Sequence, residues 1–227
     1  MAALWSPLSF DIQICIKHLT HETQKETTMH KLLSGLTLAA ATLAPAAAFA
    51  HAGHGEHSGF IHGFMHPVTG LDHILAMVTV GILAYQIGGR ALWAVPATFL
   101  AIMAAGGLIG VAGVSFYFVE PGIAASVVVL GLIVALALKP PVALAMALVA
   151  VFAVFHGYAH GIEAPLDGSA AAFGAGFLVA TALLHAFGVA FGMLVGRIAA
   201  SQGQIGYRLA GSAVAVAGLV ILSRAVI

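Results

Sequence analysis

The chain has 227 residues, of which 61% are hydrophobic and only 7% are charged. This composition lies far outside the range of soluble globular domains and is typical of an integral membrane protein. Eight basic and eight acidic residues cancel to a formal net charge of zero. Because the sequence also has no basic run, the composition argues against a nucleic-acid partner.

The N-terminal part of the chain is predicted to contain an export signal. Residues 29–50, MHKLLSGLTLAAATLAPAAAFA, combine a short basic start, an apolar core and a small-residue end, as secretory signal peptides do. We expect translation to start at Met29 and cleavage to follow Ala50, so that residues 1–28 are an unstructured upstream extension. An additional N-terminal transmembrane helix is the alternative. The single cysteine, Cys15, lies in that extension, so the mature chain would offer no thiolate ligand.

After cleavage the chain would begin with a segment rich in histidine and glycine, residues 51–65. Neutral imidazole binds late first-row metal ions, and the glycines allow several rings to converge. We expect a flexible periplasmic arm that collects metal ions, with His51 and His54 among its donors. A solvated linker without a metal-binding role is the alternative.

Residues 66–227 are predicted to form one all-α domain, a polytopic membrane protein with a bundle of six transmembrane helices. Each apolar run is about as long as a helix needs to cross a hydrocarbon core of roughly 30 Å. The predicted spans are residues 67–86, 91–114, 121–138, 141–158, 171–195 and 205–222. With the mature N-terminus exported, most basic residues fall in cytoplasmic connections, which places both termini in the periplasm of an inner-membrane protein.

The stretch HPVTGLDHILAM, residues 66–77, places two histidines and an aspartate in an otherwise apolar span. An ionisable residue inside a membrane costs about 2.5–3.5 kcal/mol on insertion scales and usually marks a site or pathway. His66 and His73 would lie about 10 Å apart along a regular helix. We therefore expect two successive ion stations, His66 at the mouth and the Asp72–His73 pair deeper, unless segment 67–70 is unwound.

A second polar motif, FHGYAHGIE, occupies residues 155–163 at the outer end of the fourth span. His156 and His160 are one helical turn apart and face the same side, and Glu163 is close enough to join His160. Because this span runs outward, both motifs are predicted to converge at the periplasmic face. They indicate a shared metal route.

Two further residues extend this predicted route. Glu120, at the start of the third span, is expected to supply an oxygen donor near the mouth. His185, midway through the fifth span, is expected to be a deeper station. Hydrogen bonding between helices is the alternative role for His185.

The donor types indicate the kind of ion. Imidazole nitrogen with carboxylate oxygen and no thiolate suits Ni²⁺, Co²⁺ and Zn²⁺ better than Cu⁺, and suits Mg²⁺ less well. The sequence contains no GxxxxGK[ST] phosphate loop. Any transport would therefore be driven by a gradient or by a partner.

The first motif extends to HPVTGLDHILAMVTVG, which resembles the HPxxGxDHxxAMxxVG signature of the HupE/UreJ family of nickel permeases. FHGYAHGIE resembles the second histidine motif of that family. The resemblance implies secondary import of Ni²⁺, or of Co²⁺ in some members, for assembly of hydrogenase or urease. The metal ion would be the transported substrate, and no permanently bound cofactor is implied.

The resemblance also implies roles for individual residues. It gives first-motif roles to His66, Asp72 and His73. Second-motif roles go to His160 and Glu163, with His156 in the same motif.

Two other classes of protein remain as alternatives. HxxxH pairs also hold iron or zinc in intramembrane oxidases and proteases, although this chain contains no HExxH sequence. A haem-binding membrane protein would use His156 or His185 as an axial ligand. The sequence leaves open the preferred metal, the coupling ion, the oligomeric state and delivery to a cytoplasmic nickel chaperone.

Overall fold

The computed structural model describes residues 59–165, 168–198 and 205–226. Within these ranges helices joined by short connections are the only regular elements, and no strand occurs, which confirms the all-α fold class. The seven helices are α1 (Gly59–Thr69), α2 (Leu71–Ile87), α3 (Ala91–Val111), α4 (Val119–Ala135), α5 (Val142–Ile162), α6 (Ala170–Ile198) and α7 (Ile205–Val226). The predicted signal peptide and the arm donors His51 and His54 lie outside the described residues.

The helices fit a multi-pass membrane protein. Four of them, α3, α5, α6 and α7, are each long and apolar enough to cross a membrane, and α1 and α2 together would form a fifth span. Helix α4 is apolar but has 17 residues, the lower end of the range for a spanning helix. Each of the six predicted spans therefore corresponds to a helix or to this helix pair.

The first predicted span is broken, which corrects the expectation of one regular helix. Helix α1 ends at Thr69, Gly70 has an extended backbone with φ −87° and ψ 118°, and α2 begins at Leu71. The two helices are bent by 81°. The Thr69 hydroxyl donates to the carbonyl of His66 at 2.9 Å, the acceptor that the Gly70 amide would use in a continuous helix. Glycine also favours a break because its helix propensity is low.

Helix α1 starts earlier than expected. Residues 59–65, assigned above to a flexible arm, form its first turns. Gly63 of α1 and Gly176 of α6 allow this packing, because a Cβ atom at either position would overlap the backbone of the other helix. Residues 59–65 of the histidine-rich segment are therefore helical.

Helix α2 is the centre of the described bundle and contacts all six other helices. Its residues Met77, Val80 and Leu83 are fully buried. Around it, α3 packs mainly against α5, α4 against α7, and α6 against both α1 and α2. The first turn of α2 therefore places Asp72 and His73 where several helices meet.

The closest approach of α2 and α6 depends on a glycine in each helix. A Cβ atom at Gly81 would overlap the α6 backbone near His185, and one at Gly188 would overlap the α2 backbone at Val78. By contrast, a Cβ atom at Gly174 of α6 would have no neighbour within 4 Å. The two kinds of glycine provide a matched test of this packing.

We expect the Gly81→Ala substitution to lower the free energy of unfolding by about 1–3 kcal/mol, because overpacking forces α2 and α6 apart. The Gly174→Ala control should unfold at the same temperature as the wild type or slightly higher, because alanine favours a helix. Thermal unfolding in detergent micelles measures both. A Gly81→Ala protein that melts with the wild type would contradict the described α2–α6 contact.

Candidate metal centre

The two polar motifs meet where α1, α2 and α5 come together. His66 lies near the end of α1, Asp72 and His73 in the first turn of α2, and His160 in the last turn of α5. The His160 ring centroid lies 4.6 Å from that of His66 and 4.3 Å from that of His73.

This contact corrects the expectation of two stations kept apart by a regular helix. Because the chain bends at Gly70, His66 and His73 approach the same imidazole, His160. The separation of about 10 Å applied only to a continuous helix.

The outer part of the cluster combines two imidazoles with a carboxylate. The Oε2 atom of Glu163 lies 2.9 Å from Nε2 of His66 and 3.1 Å from Nδ1 of His160. One ligand atom from each of the three residues lies within 4.8 Å of the others, a spacing that could hold a metal ion. We call His66, His160 and Glu163 the outer group.

Glu163 brings a stable negative charge to the outer group. Hydrogen bonds from His160 and His66 hold the pKa of its carboxyl well below the usual range, against a smaller opposing effect of burial. The side chain is 52% exposed. An accessible carboxylate that stays ionised can attract a cation from water.

The inner part of the cluster consists of three buried imidazoles. The Nε2 atom of His73 lies 2.5 Å from Nε2 of His160 and 2.9 Å from Nδ1 of His156. All three side chains are buried. We call His73, His156 and His160 the inner group.

Two carboxylates determine which ring nitrogen of His73 and His160 carries the proton. Asp72 Oδ1 accepts the backbone amide of His73 at 2.9 Å and lies 3.3 Å from its Nδ1. The Oε2 atom of Glu163 likewise lies 3.1 Å from Nδ1 of His160. Because an ionised carboxylate only accepts hydrogen bonds, each Nδ1 is the donor. In the neutral ring, each Nε2 then has a free lone pair.

A serine has the same effect on His156. The Ser126 hydroxyl donates to the carbonyl of Ile123 at 2.6 Å and lies 2.9 Å from Nε2 of His156. Since its one proton goes to that carbonyl, the hydroxyl oxygen accepts the proton of His156 Nε2. The Nδ1 lone pair of His156 therefore faces His73.

In the inner group, the Nε2 lone pair of His73 therefore faces the Nε2 lone pair of His160 and the Nδ1 lone pair of His156, with no proton between them. Such an arrangement is repulsive when empty and attractive around a cation. Metal-binding histidines characteristically have their second nitrogen hydrogen-bonded to a carboxylate or another oxygen, which orients the ring. Every ring of the inner group has this support, and neutral imidazole suits late first-row divalent ions.

Sequence reasoning missed Ser126 and the aromatic wall of the site. Ser126 is fully buried, and the available signal was a single hydroxyl in the otherwise apolar α4. The Phe177 ring lies 4.3 Å from that of His160 and 6.2 Å from that of His73. Nothing in the sequence distinguishes this phenylalanine from those that contact lipid.

Two predicted site residues lie outside both groups. Glu120 is exposed in the first turn of α4, and the structure does not bring it to the cluster. His185 is 2% exposed on α6, with its ring 5.2 Å from that of Phe99.

The fold and the site define a multi-pass, all-α membrane protein with a buried histidine–carboxylate cluster. The family profile described as HupE / UreJ protein matches residues 22–221. Protein HupE of Rhizobium leguminosarum bv. viciae is 46% identical over 188 residues, which cover 82% of this chain and 95% of that protein. The chain belongs to the HupE/UreJ family, and the resemblance seen in its motifs is confirmed. No solved structure matches it significantly.

The hydrogen bond from His156 to Ser126 can be tested by metal binding. We expect Ser126→Ala to lower the affinity for Ni²⁺ by about 10–100-fold, the usual cost of losing a group that orients a ligand. Ser223 is the matched control, because its exposed hydroxyl also donates to the carbonyl three residues earlier but contacts no imidazole. Equilibrium dialysis of purified protein against Ni²⁺ measures both. Equal affinity of Ser126→Ala and wild type would contradict the proposed role of Ser126.

The depressed pKa of Glu163 predicts how its charge depends on pH. An ordinary glutamate is half protonated at about pH 4.3, whereas the Glu163 carboxylate should stay ionised there and protonate only at lower pH. Carbon-13 NMR of glutamate-labelled protein measures this titration, and the Glu163→Gln difference spectrum assigns the signal. His66→Ala should raise the midpoint, because one donor is lost. A wild-type midpoint at or above the ordinary value would show that these hydrogen bonds do not hold the charge.

Proposed function

We propose that this chain is a secondary transition-metal permease that imports Ni²⁺, or Co²⁺, across the inner membrane for assembly of an enzyme such as hydrogenase or urease. Its family is transporter-type, and membership supports a role connected with nickel or cobalt transport. The observation that carries the proposal is the inner group, in which Nε2 of His73 lies beside the ring nitrogens of two other buried imidazoles, His156 and His160, within a bundle of apolar helices.

Capture begins at the outer group. The ionised Glu163 attracts the divalent ion. His66 and His160, whose ring N–H groups otherwise donate to Glu163, replace part of the ion's water shell once each proton has moved to the other ring nitrogen. Glu163 and His66 both remain partly exposed. Water can therefore complete the coordination, which keeps binding weak enough for the ion to move on.

His160 links the two groups through opposite ring nitrogens. It faces the outer group with Nδ1 and the inner group with Nε2. A neutral imidazole has one lone pair, so His160 can ligate in only one group at a time. One ion would accordingly be passed inward while the His160 proton moves to the other nitrogen.

Asp72 supports the inner group in two ways. Its hydrogen bonds orient His73 with Nε2 toward the ion. Its negative charge offsets that of a divalent ion that has shed water inside the bundle, where an isolated charge is expensive. Asp72 is thus proposed as a positioning and charge-compensating residue, with His73 and His160 as the principal ligands.

The charge distribution supports an outward-facing cluster. Four basic residues lie at one set of helix ends: Arg90 and Lys139 in connections, Arg197 in the last turn of α6 and Arg208 in the first turns of α7. The histidine cluster and Glu120 lie at the opposite helix ends. By the positive-inside rule, this distribution supports a cluster at the periplasmic face and both termini in the periplasm.

The central experiment is uptake of radiolabelled Ni²⁺ into proteoliposomes. Asp72→Asn keeps the shape of the side chain but removes its charge, so we expect uptake at least about tenfold slower. The protein should still insert, and the Ser223→Ala control should transport like wild type. Excess Co²⁺ should inhibit wild-type uptake more strongly than Zn²⁺. Normal uptake by Asp72→Asn would contradict the charge-compensating role.

A further inference from the structure

His185 lies on α6 and is buried in the bundle. It is 2% exposed, and neither Nδ1 nor Nε2 has a partner among the described residues. Two positions earlier, Leu183 is 55% exposed, which shows that His185 lies on the inward face of the helix. A buried imidazole with no partner is unfavourable unless something else occupies its polar atoms.

A second unpartnered group lies one turn away on the same face. Thr181 is fully buried, and its hydroxyl has no partner in the described part of the chain. Two other threonines inside helices behave differently: Thr79 and Thr98 donate to the carbonyl four residues earlier, at 2.6 and 2.7 Å. The Thr181 hydroxyl forgoes this bond and remains available beside His185.

This pair lies next to the inner group, separated from it by one aromatic ring. The Phe99 ring centroid is 5.7 Å from that of His156 and 5.2 Å from that of His185. Phe99 is itself fully buried in the core. His156 of α5 and His185 of α6 therefore both contact the same phenylalanine ring.

We propose that His185 and Thr181 form a second binding station for the divalent metal ion, deeper in the bundle than the inner group and reached past the Phe99 side chain. This proposal rests on the proposed transport function. One imidazole nitrogen and one hydroxyl make a weak, incomplete ligand set, which water completes. Such a station suits an ion in transit, because the ion must be able to leave.

To test the proposed station, Ni²⁺ uptake and Ni²⁺ binding are measured on the same variants. His185→Leu should slow Ni²⁺ uptake into proteoliposomes by about tenfold or more, yet leave Ni²⁺ binding to the inner group within about twofold of wild type. The lipid-facing control, Leu183→Ala, should change neither. Unaltered uptake by His185→Leu would overturn the proposal. Loss of binding together with uptake would also overturn it, because His185 would then support the fold.

A second measurement does not depend on nickel transport. In a Cys15→Ser background, His185→Cys should react with a small cationic methanethiosulfonate reagent about tenfold faster than Ala180→Cys, since thiol reactivity requires access from water. Ala180 is 1% exposed on the same helix and serves as the packed control. Equal rates would overturn the station. If wild-type protein carried no Ni²⁺ while His185→Cys reacted quickly, the proposed function would fail and the polar station would stand.

Discussion

The break at Gly70 is the structural feature on which the whole histidine cluster depends. The Thr69 hydroxyl donates to the His66 carbonyl, which would accept the Gly70 amide in a continuous helix. The chain then turns by 81° before α2 begins. This bend returns His66 to the end of α5, so that His66 and His73 both contact His160. A continuous helix would hold these two imidazoles about 10 Å apart. The bend at Gly70 therefore brings the partly exposed outer group next to the buried inner group.

The second constraint is the control of imidazole tautomers by neighbouring oxygens. Asp72, Glu163 and Ser126 each accept the proton of one ring and leave its other nitrogen free toward the centre. These three oxygens come from α2, from the residue that follows α5, and from α4. Metal affinity is consequently a property of the bundle as a whole, because the ligands and their supports together come from α2, α4 and α5 with the residue that follows it.

The sequence predicted the membrane class, the six apolar segments and both histidine motifs, because ionisable residues are conspicuous in apolar spans. It did not predict the break. Pro67 is compatible with the start of a helix, whereas α1 actually begins at Gly59 and includes Pro67. Ser126 and Phe99 were also missed as neighbours of the histidines. Their role depends on which helices pack together, and the period of one apolar helix does not specify that.

The most direct test of the account is X-ray absorption spectroscopy at the nickel edge of Ni²⁺-loaded protein, comparing wild type with His73→Ala. The account predicts imidazole rings in the first shell of the wild type, with oxygen completing it. It also predicts that His73→Ala loses part of the imidazole scattering and gains oxygen in its place. A wild-type spectrum without imidazole ligands, or identical spectra from the two proteins, would contradict the claim that the inner group binds the ion.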